Sequence, residues 1–388
     1  MSNTPVCQSF LSGRTPPGGL DRQRDLDGLR GVAILLVLFL HHVCRSGIFT
    51  YLGPPPVAAL LDSAWAGVDI FFVLSGFLIG GIILDEAKAE SFFGLFYLRR
   101  MLRILPVAFL TLAFSYGVLP FLNPTILWPA QVPPYAYLLF INNFWTALGR
   151  MPYAPLGPMW SLAIEFQFYL LAPVLLRSAG TALRTTTLVA VILISPVLRL
   201  SAVWFSVWDF TLYRLDGFAM GILLASLLRS ASFRELLKQH RAAVHTIIAA
   251  AVITAVLFAS YPYHSTLQQV ARGVSLNSIA AGAVILFLHI HPGGLLSKAL
   301  SQSWLVVSGR YSYFLYLMHT PILMYTMSAF DGGPKELRPL LALGLSYLGA
   351  WASWRFLESK LIRLGKAASY QPTMQAATVT ELPPRPTL

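Results

Sequence analysis

The hydrophobic residues of this chain come in long blocks rather than in alternation. Runs such as Gly31–Val43, Trp65–Leu84 and Ile104–Leu122 are almost wholly apolar, and short polar or basic connections separate them. Wound as a helix, about 20 apolar residues match the hydrocarbon thickness of a bilayer. The period-two pattern of a membrane barrel strand is missing, and helices and closed barrels are the structures that satisfy their own backbone in lipid. The pattern therefore predicts an all-α, polytopic transmembrane helix bundle of about ten spans. They fall near 30–45, 65–84, 104–122, 158–177, 186–204, 210–229, 243–260, 273–290, 304–327 and 339–357. One further stretch, Tyr135–Leu148, is short and broken by Asn142 and Asn143, which suits a re-entrant or interfacial piece better than an eleventh span.

Composition agrees with that placement. Of 388 residues 56% are apolar and 11% charged, against about 25% charged in soluble domains. The net charge of +12 raises the question of nucleic acid, but no basic stripe or aromatic platform accompanies it. Topology explains it instead. With ten spans and a cytoplasmic N-terminus, most Arg and Lys residues fall inside, while Arg45, Arg150, Arg272, Lys335 and Arg338 remain outside. An eleventh span would move the basic 229–241 connection outside, so both termini are expected in the cytoplasm.

The expected organisation is a disordered N-terminal segment (1–25), one membrane domain (26–360) and a disordered cytoplasmic tail (361–388). The first span is expected to be an uncleaved anchor, with no further domain after the last one. Cys7 and Cys44 flank the first span on opposite sides, so no disulfide is expected. No metal-ligand spacing, Walker loop or dinucleotide fingerprint is present in the sequence, and no permanently bound cofactor is expected.

Ionisable residues inside apolar spans are costly and mark function. In LDGLRGVAILLVLFLHH, Arg30 and His41 are eleven positions apart, so they differ by about 20° around a helix and by about 16 Å along it. One face thus offers a cation at the cytoplasmic mouth and an imidazole near mid-membrane. Arg100 and Arg103, in FYLRRMLRILP, project from one side of a helix start and can grip phosphate. Alone, either arginine group reads more readily as a topogenic flank, and the Arg100–Arg103 pair gains weight because Arg30 faces the same compartment. Glu165, in PMWSLAIEFQFYLLAP, lies about 10 Å into the fourth span with Tyr169 one turn on; it acts in the reaction or pairs with an arginine to hold the bundle. Asp69, His319 and the Arg214–Asp216 neighbours complete the set, Asp69 as a cap or orienting group and Arg214–Asp216 as a neutralised structural pair. His264, His289 and His291 lie at span ends and receive no role.

Arginines on the cytoplasmic side with His, Glu and Asp deeper suit a polyanionic donor inside and a hydroxyl acceptor outside. A coenzyme A thioester is such a donor, and a hydroxyl needs a base such as imidazole to become nucleophilic. The motifs above, with GVDIFFVLSGFLI, YRLDGFAMG, SYFLYLMHTPIL and FLESKLIR, occur in an order that resembles the type 3 membrane acyltransferases over residues 26–360. The resemblance implies a bacterial multi-pass protein of the cytoplasmic membrane that moves an acyl group, expected to be acetyl, from acyl-CoA to a hydroxyl of a glycan or glycosylated metabolite. It implies that Arg30, Arg100 and Arg103 bind the donor. His41 is the implied catalytic base, with Glu165, Asp69 and His319 orienting or polarising the site. Glu165-Phe166 departs from the paired glutamates common in that family. A proton-coupled transporter using His41, Glu165 and His319 as a relay is the competing reading; it requires no arginine pair.

Overall fold

Each of the ten apolar blocks becomes a helix. The structure, a computed structural model, describes residues 24–44, 59, 61, 63–122, 130–177, 179–201, 205–260, 267–330, 332, 334 and 336–367. The helices at the expected spans are α1 (Arg24–Phe39, continued by a π-type turn Leu40–Cys44), α2 (Ala66–Glu86), α3 (Phe92–Ala113, extended to Leu122), α6 (Met159–Arg177) and α7 (Thr181–Leu200). They continue with α8 (Leu215–Arg229), α10 (Arg241–Ala259), α11 (Leu267–Ile290), α13 (Ser303–Ala329) and α14 (Leu337–Ser353, continued by a π-type turn Trp354–Glu358). Short helices α4 (Pro134–Leu138), α5 (Asn142–Ala147), α9 (Ala231–Gln239), α12 (Leu295–Leu300) and α15 (Ser359–Ala367) join them. Among the described residues there is no strand.

Seven of the helical segments are both long and apolar enough to cross a membrane. The three expected spans outside that set fall short for definable reasons. α8 has 15 residues and then bends by 87° into α9. α14 has 17 residues before its π-type turn. α13 is 27 residues long but carries Arg310, His319 and a run of serines and tyrosines. A helix walled in by neighbours tolerates polar groups that a lipid-facing helix does not.

Two backbone-close contacts hold the centre. Gly31 and Gly309 let α1 and α13 meet: a Cβ at Gly31 would lie 2.1 Å from the Leu305 carbonyl oxygen, and one at Gly309 would lie 1.8 Å from that of Asp27. On the other side, Gly76 of α2 faces the Phe218 carbonyl and Gly221 of α8 faces that of Val73, at 2.2 Å each from a notional Cβ. Small residues at such seams replace the hydrophobic driving force that lipid cannot supply between helices. α7 and α10 stand at the periphery with largely exposed apolar faces.

The broken stretch at 135–148 is two short helices joined through Phe140, whose φ of 54° lies in the left-handed region. Its ring stacks on Phe166 at 4.2 Å. Gln167 holds the turn, its Nε2 donating to the Phe140 carbonyl at 2.9 Å and to Asn143 Oδ1 at 2.8 Å. Asn143 in turn donates to Thr211 Oγ1 at 2.9 Å. Both asparagines that interrupt the apolar run are therefore buried, and Asn143 ties α5 to α6 and to the 3₁₀ turn before α8.

At the C-terminal end, the expected tail starts too early. Residues 361–367 belong to α15, an amphipathic basic helix docked on α3 through Arg99, whose Nε donates to the Gly365 carbonyl at 3.0 Å. Residues 1–23 and 368–388, which hold the expected N-terminal segment, Cys7 and the rest of the tail, lie outside the described residues, as do Arg45 and His264.

Candidate active site

The α1–α13 seam brings together several of the polar residues singled out from the sequence. Arg30 Nη2 donates to Ser312 Oγ at 3.3 Å, and eleven residues later the His41 ring meets the His319 ring edge-on, centroids 4.9 Å apart. Ser312 and His319 are seven residues apart on α13, so they share a face. Arg30 and His41 therefore both look onto that face, as their spacing requires. His41 sits in the π-type turn at the end of the α1 span, three residues from Cys44. Such turns add one residue to a helical circuit and recur at functional sites; here the turn sets His41 and His42 side by side against α13.

All three imidazoles have a fixed tautomer. His41 Nδ1 lies 2.9 Å from the Val37 carbonyl, His42 Nδ1 3.1 Å from that of Leu38, and His319 Nδ1 3.1 and 2.7 Å from those of Leu315 and Tyr316. A carbonyl only accepts, so each Nδ1 carries the proton and each Nε2 carries the lone pair. His319 is fully buried and its Nε2 accepts from Thr320 Oγ1 at 3.1 Å. His42 is buried, with its ring 6.0 Å from that of His319 and its Nε2 without a hydrogen-bond partner among the described residues. His41 is the half-buried member of the trio. Tyr316, whose hydroxyl lies 2.5 Å from Ser161 Oγ, closes the other side of His319 at 6.0 Å between rings.

Nearer the start of α1 is an arginine and carboxylate cluster. Glu165 accepts hydrogen bonds from Ser75 Oγ at 2.5 Å and from the Tyr169 hydroxyl. Arginine ion pairing, one of the two roles open to Glu165, is not what the structure shows among the described residues: two hydroxyls hold it. Arg30, Arg103, Glu165 and Tyr169 lie within electrostatic reach of one another, and Arg100 acts on Tyr169. Glu358, from the π-type turn after α14, faces Arg103 and Arg30, and its Oε1 accepts from Ser353 at 2.7 Å. Tyr313 stands among them, its hydroxyl donating to the Ile104 carbonyl at 2.7 Å. Of the three arginines singled out from sequence, Arg30 from α1 and Arg100 from α3 thus both reach Tyr169, while Arg103 from α3 faces Arg30, Tyr313 and Glu358.

Asp69 belongs to a different cluster. Buried at 1% exposure, it pairs with Arg214 at 2.5 Å and accepts from Asn277 Nδ2 at 2.9 Å. The expected Arg214–Asp216 pairing is not formed: Asp216 instead binds Arg199 through two hydrogen bonds, at 2.5 and 3.0 Å, with Ser275 beside them. Residues two apart on a helix point to opposite sides, and two buried cross-helix pairs result. Arg214 also lies over the rings of Phe72, Trp160 and Trp208 at 5.4–5.9 Å.

Several partners had no signal of their own in the sequence. Ser75, Ser312, Tyr313 and Asn277 are ordinary residues until packing faces them to a charge. Arg199 carried one, as a cation inside an apolar span.

This is a multi-pass membrane protein with a histidine trio and an arginine cluster along one interior helix seam. The chain belongs to the type 3 acyltransferase family, whose acyltransferase domain matches residues 23–355. It is similar to the peptidoglycan O-acetyltransferase OatA of Listeria monocytogenes, at 28% identity over 369 residues, covering 88% of this chain and 56% of that protein. It is similar also to the O-acetyltransferase OatA of Staphylococcus aureus, at 25% identity, covering 89% of this chain and 58% of that one. The chain thus spans somewhat over half the length of these relatives. No solved structure matches it.

Proposed function

We propose that this protein is a membrane O-acetyltransferase that takes its acetyl group from acetyl-CoA on the cytoplasmic side and places it on a glycan hydroxyl at the outer side. The observation that carries the reading is the single α1 face on which Arg30 and His41 both meet α13. Arg30, Arg100 and Arg103 hold the donor phosphates, and the pantetheine arm runs along the seam towards His41. His41 Nε2 takes the proton of the acceptor hydroxyl, and the oxygen attacks the thioester carbonyl. The tetrahedral adduct collapses with cleavage of the carbon–sulfur bond, and the imidazolium returns the proton to the departing thiolate. His319, neutral and tied at both nitrogens, positions the His41 ring, while Glu165 sets the charge balance of the arginines. Asp69 acts by holding Arg214 rather than by touching His41.

The acceptor class draws support from the relatives, one of which is named for peptidoglycan. A relay transporter would use the histidines but gives no reason for Arg30, Arg100 and Arg103 to cluster around Glu165, Tyr169, Tyr313 and Glu358. The test is thioester consumption by the purified protein in nanodiscs, supplied with acetyl-CoA and peptidoglycan fragments, with mass spectrometry of the fragments. Acetyl transfer is expected, and His41→Ala should lower it by about a hundredfold or more. Undiminished transfer in that variant removes His41 from the mechanism.

A further inference from the structure

Beside the Arg30 cluster, towards the beginning of α1, lies a cavity of about 260 Å³ lined by Arg24, Asp27, Ser303, Val306, Val307 and Arg310. Two guanidinium groups against one carboxylate leave it net positive. Arg310 stands about 10 Å along α13 from Ser303, it makes no hydrogen bond or ion pair among the described residues, and its Nε is buried. Its guanidinium lies over the Trp354 ring at 5.5 Å, which fixes the plane of the fork without using its donors. Arg24 gives one contact to the Ser301 carbonyl at 3.3 Å, and a guanidinium has five N–H donors. A partly desolvated, unpaired guanidinium facing a cavity is costly unless an anion completes it, and phosphate is the anion whose oxygens match the fork.

The position of the cavity says which phosphate. Along the helix axes, Arg310 stands about 3 Å before Ser312, whose hydroxyl Arg30 touches, though on another side of α13, and Arg24 precedes Arg30 by about 9 Å. A donor entering from that side meets the cavity first, then Arg30 and Arg103, then His41. Coenzyme A carries phosphate at two places, a diphosphate within the chain and a monoester on the ribose 3′ oxygen at the far end. The geometry points to the cavity as the site of the 3′-phosphate, with Arg310 and Arg24 as its ligands and Ser303 as an added donor. The assignment rests on the coenzyme A reading above. The same chemistry is offered by the phosphate of an anionic phospholipid headgroup.

Binding of CoA and of 3′-dephospho-CoA to the intact protein in phosphatidylcholine nanodiscs, measured by calorimetry, decides the matter. The protein should bind CoA at least about tenfold more tightly than dephospho-CoA, and Arg310→Gln should abolish that preference while leaving dephospho-CoA affinity unchanged. The unchanged value also shows that the variant is folded. Val307→Glu, which adds a carboxylate to the cavity wall, should act in the same direction. Equal affinity for the two ligands in the unaltered protein overturns the assignment and leaves the donor reading standing. Failure to bind either overturns both. A preference that survives Arg310→Gln places the 3′-phosphate elsewhere. Should phosphatidic acid, but not the 3′-phosphate, stabilise the protein in an Arg310-dependent way, the cavity serves lipid and the assignment falls.

Discussion

Arg214 shows how much a single buried charge constrains this bundle. Its side chain is 1% exposed, and Asp69, equally buried, is its ion-pair partner. Breaking such a pair from one side leaves an uncompensated charge and costs about 3–5 kcal/mol. Asp69→Asn should therefore lower stability by that order in thermal denaturation of the detergent-solubilised protein. Asp69→Leu combined with Arg214→Met, which removes both charges, should recover most of the loss. A double variant as unstable as the single one means that Asp69 contributes through something other than Arg214. The candidate residues were legible in the sequence because charges and imidazoles stand out in apolar spans. Their pairings were less so. The Arg214–Asp216 proximity along the chain suggested a pair that helical geometry forbids, while the true partners come from α2 and α7, related to α8 only through packing.

At the level of elements, the α1–α13 contact decides whether Arg30 and His41 can work together. A Cβ on Gly309 would fall 1.8 Å from the Asp27 carbonyl oxygen, so even alanine forces the helices apart. Gly309→Ala is expected to destabilise by about 1–3 kcal/mol and to lower kcat by separating His41 from His319. Gly344→Ala on α14, where a Cβ meets nothing within 4 Å, should be neutral or slightly stabilising. Melting temperatures and turnover of the two variants check this; equal behaviour would mean that the close approach is unimportant. Hydropathy located all ten helices, because block length and apolarity are local properties. It did not reveal the π-type turn at Leu40–Cys44, since one extra residue in a helical circuit leaves an apolar run unchanged.

Across the whole molecule the proposed donor and acceptor ends lie apart along one seam, with arginines towards the start of α1 and the histidine trio at its end. The basic connection 229–241 is the amphipathic helix α9, turned by 87° from α8, as an element lying along a membrane face would be. This arrangement makes the central claim directly measurable. In a background with Cys7 and Cys44 replaced by Ser, His41→Cys places a thiol where the thioester carbonyl should arrive. Chloroacetyl-CoA should alkylate that thiol in inside-out vesicles, CoA should protect it, and Arg30→Gln should slow the labelling. Phe39→Cys, on the opposite side of α1, should stay unlabelled, as should His41→Cys in right-side-out vesicles. Labelling of position 41 that ignores CoA and Arg30, or none at all, would contradict a donor path from Arg30 to His41.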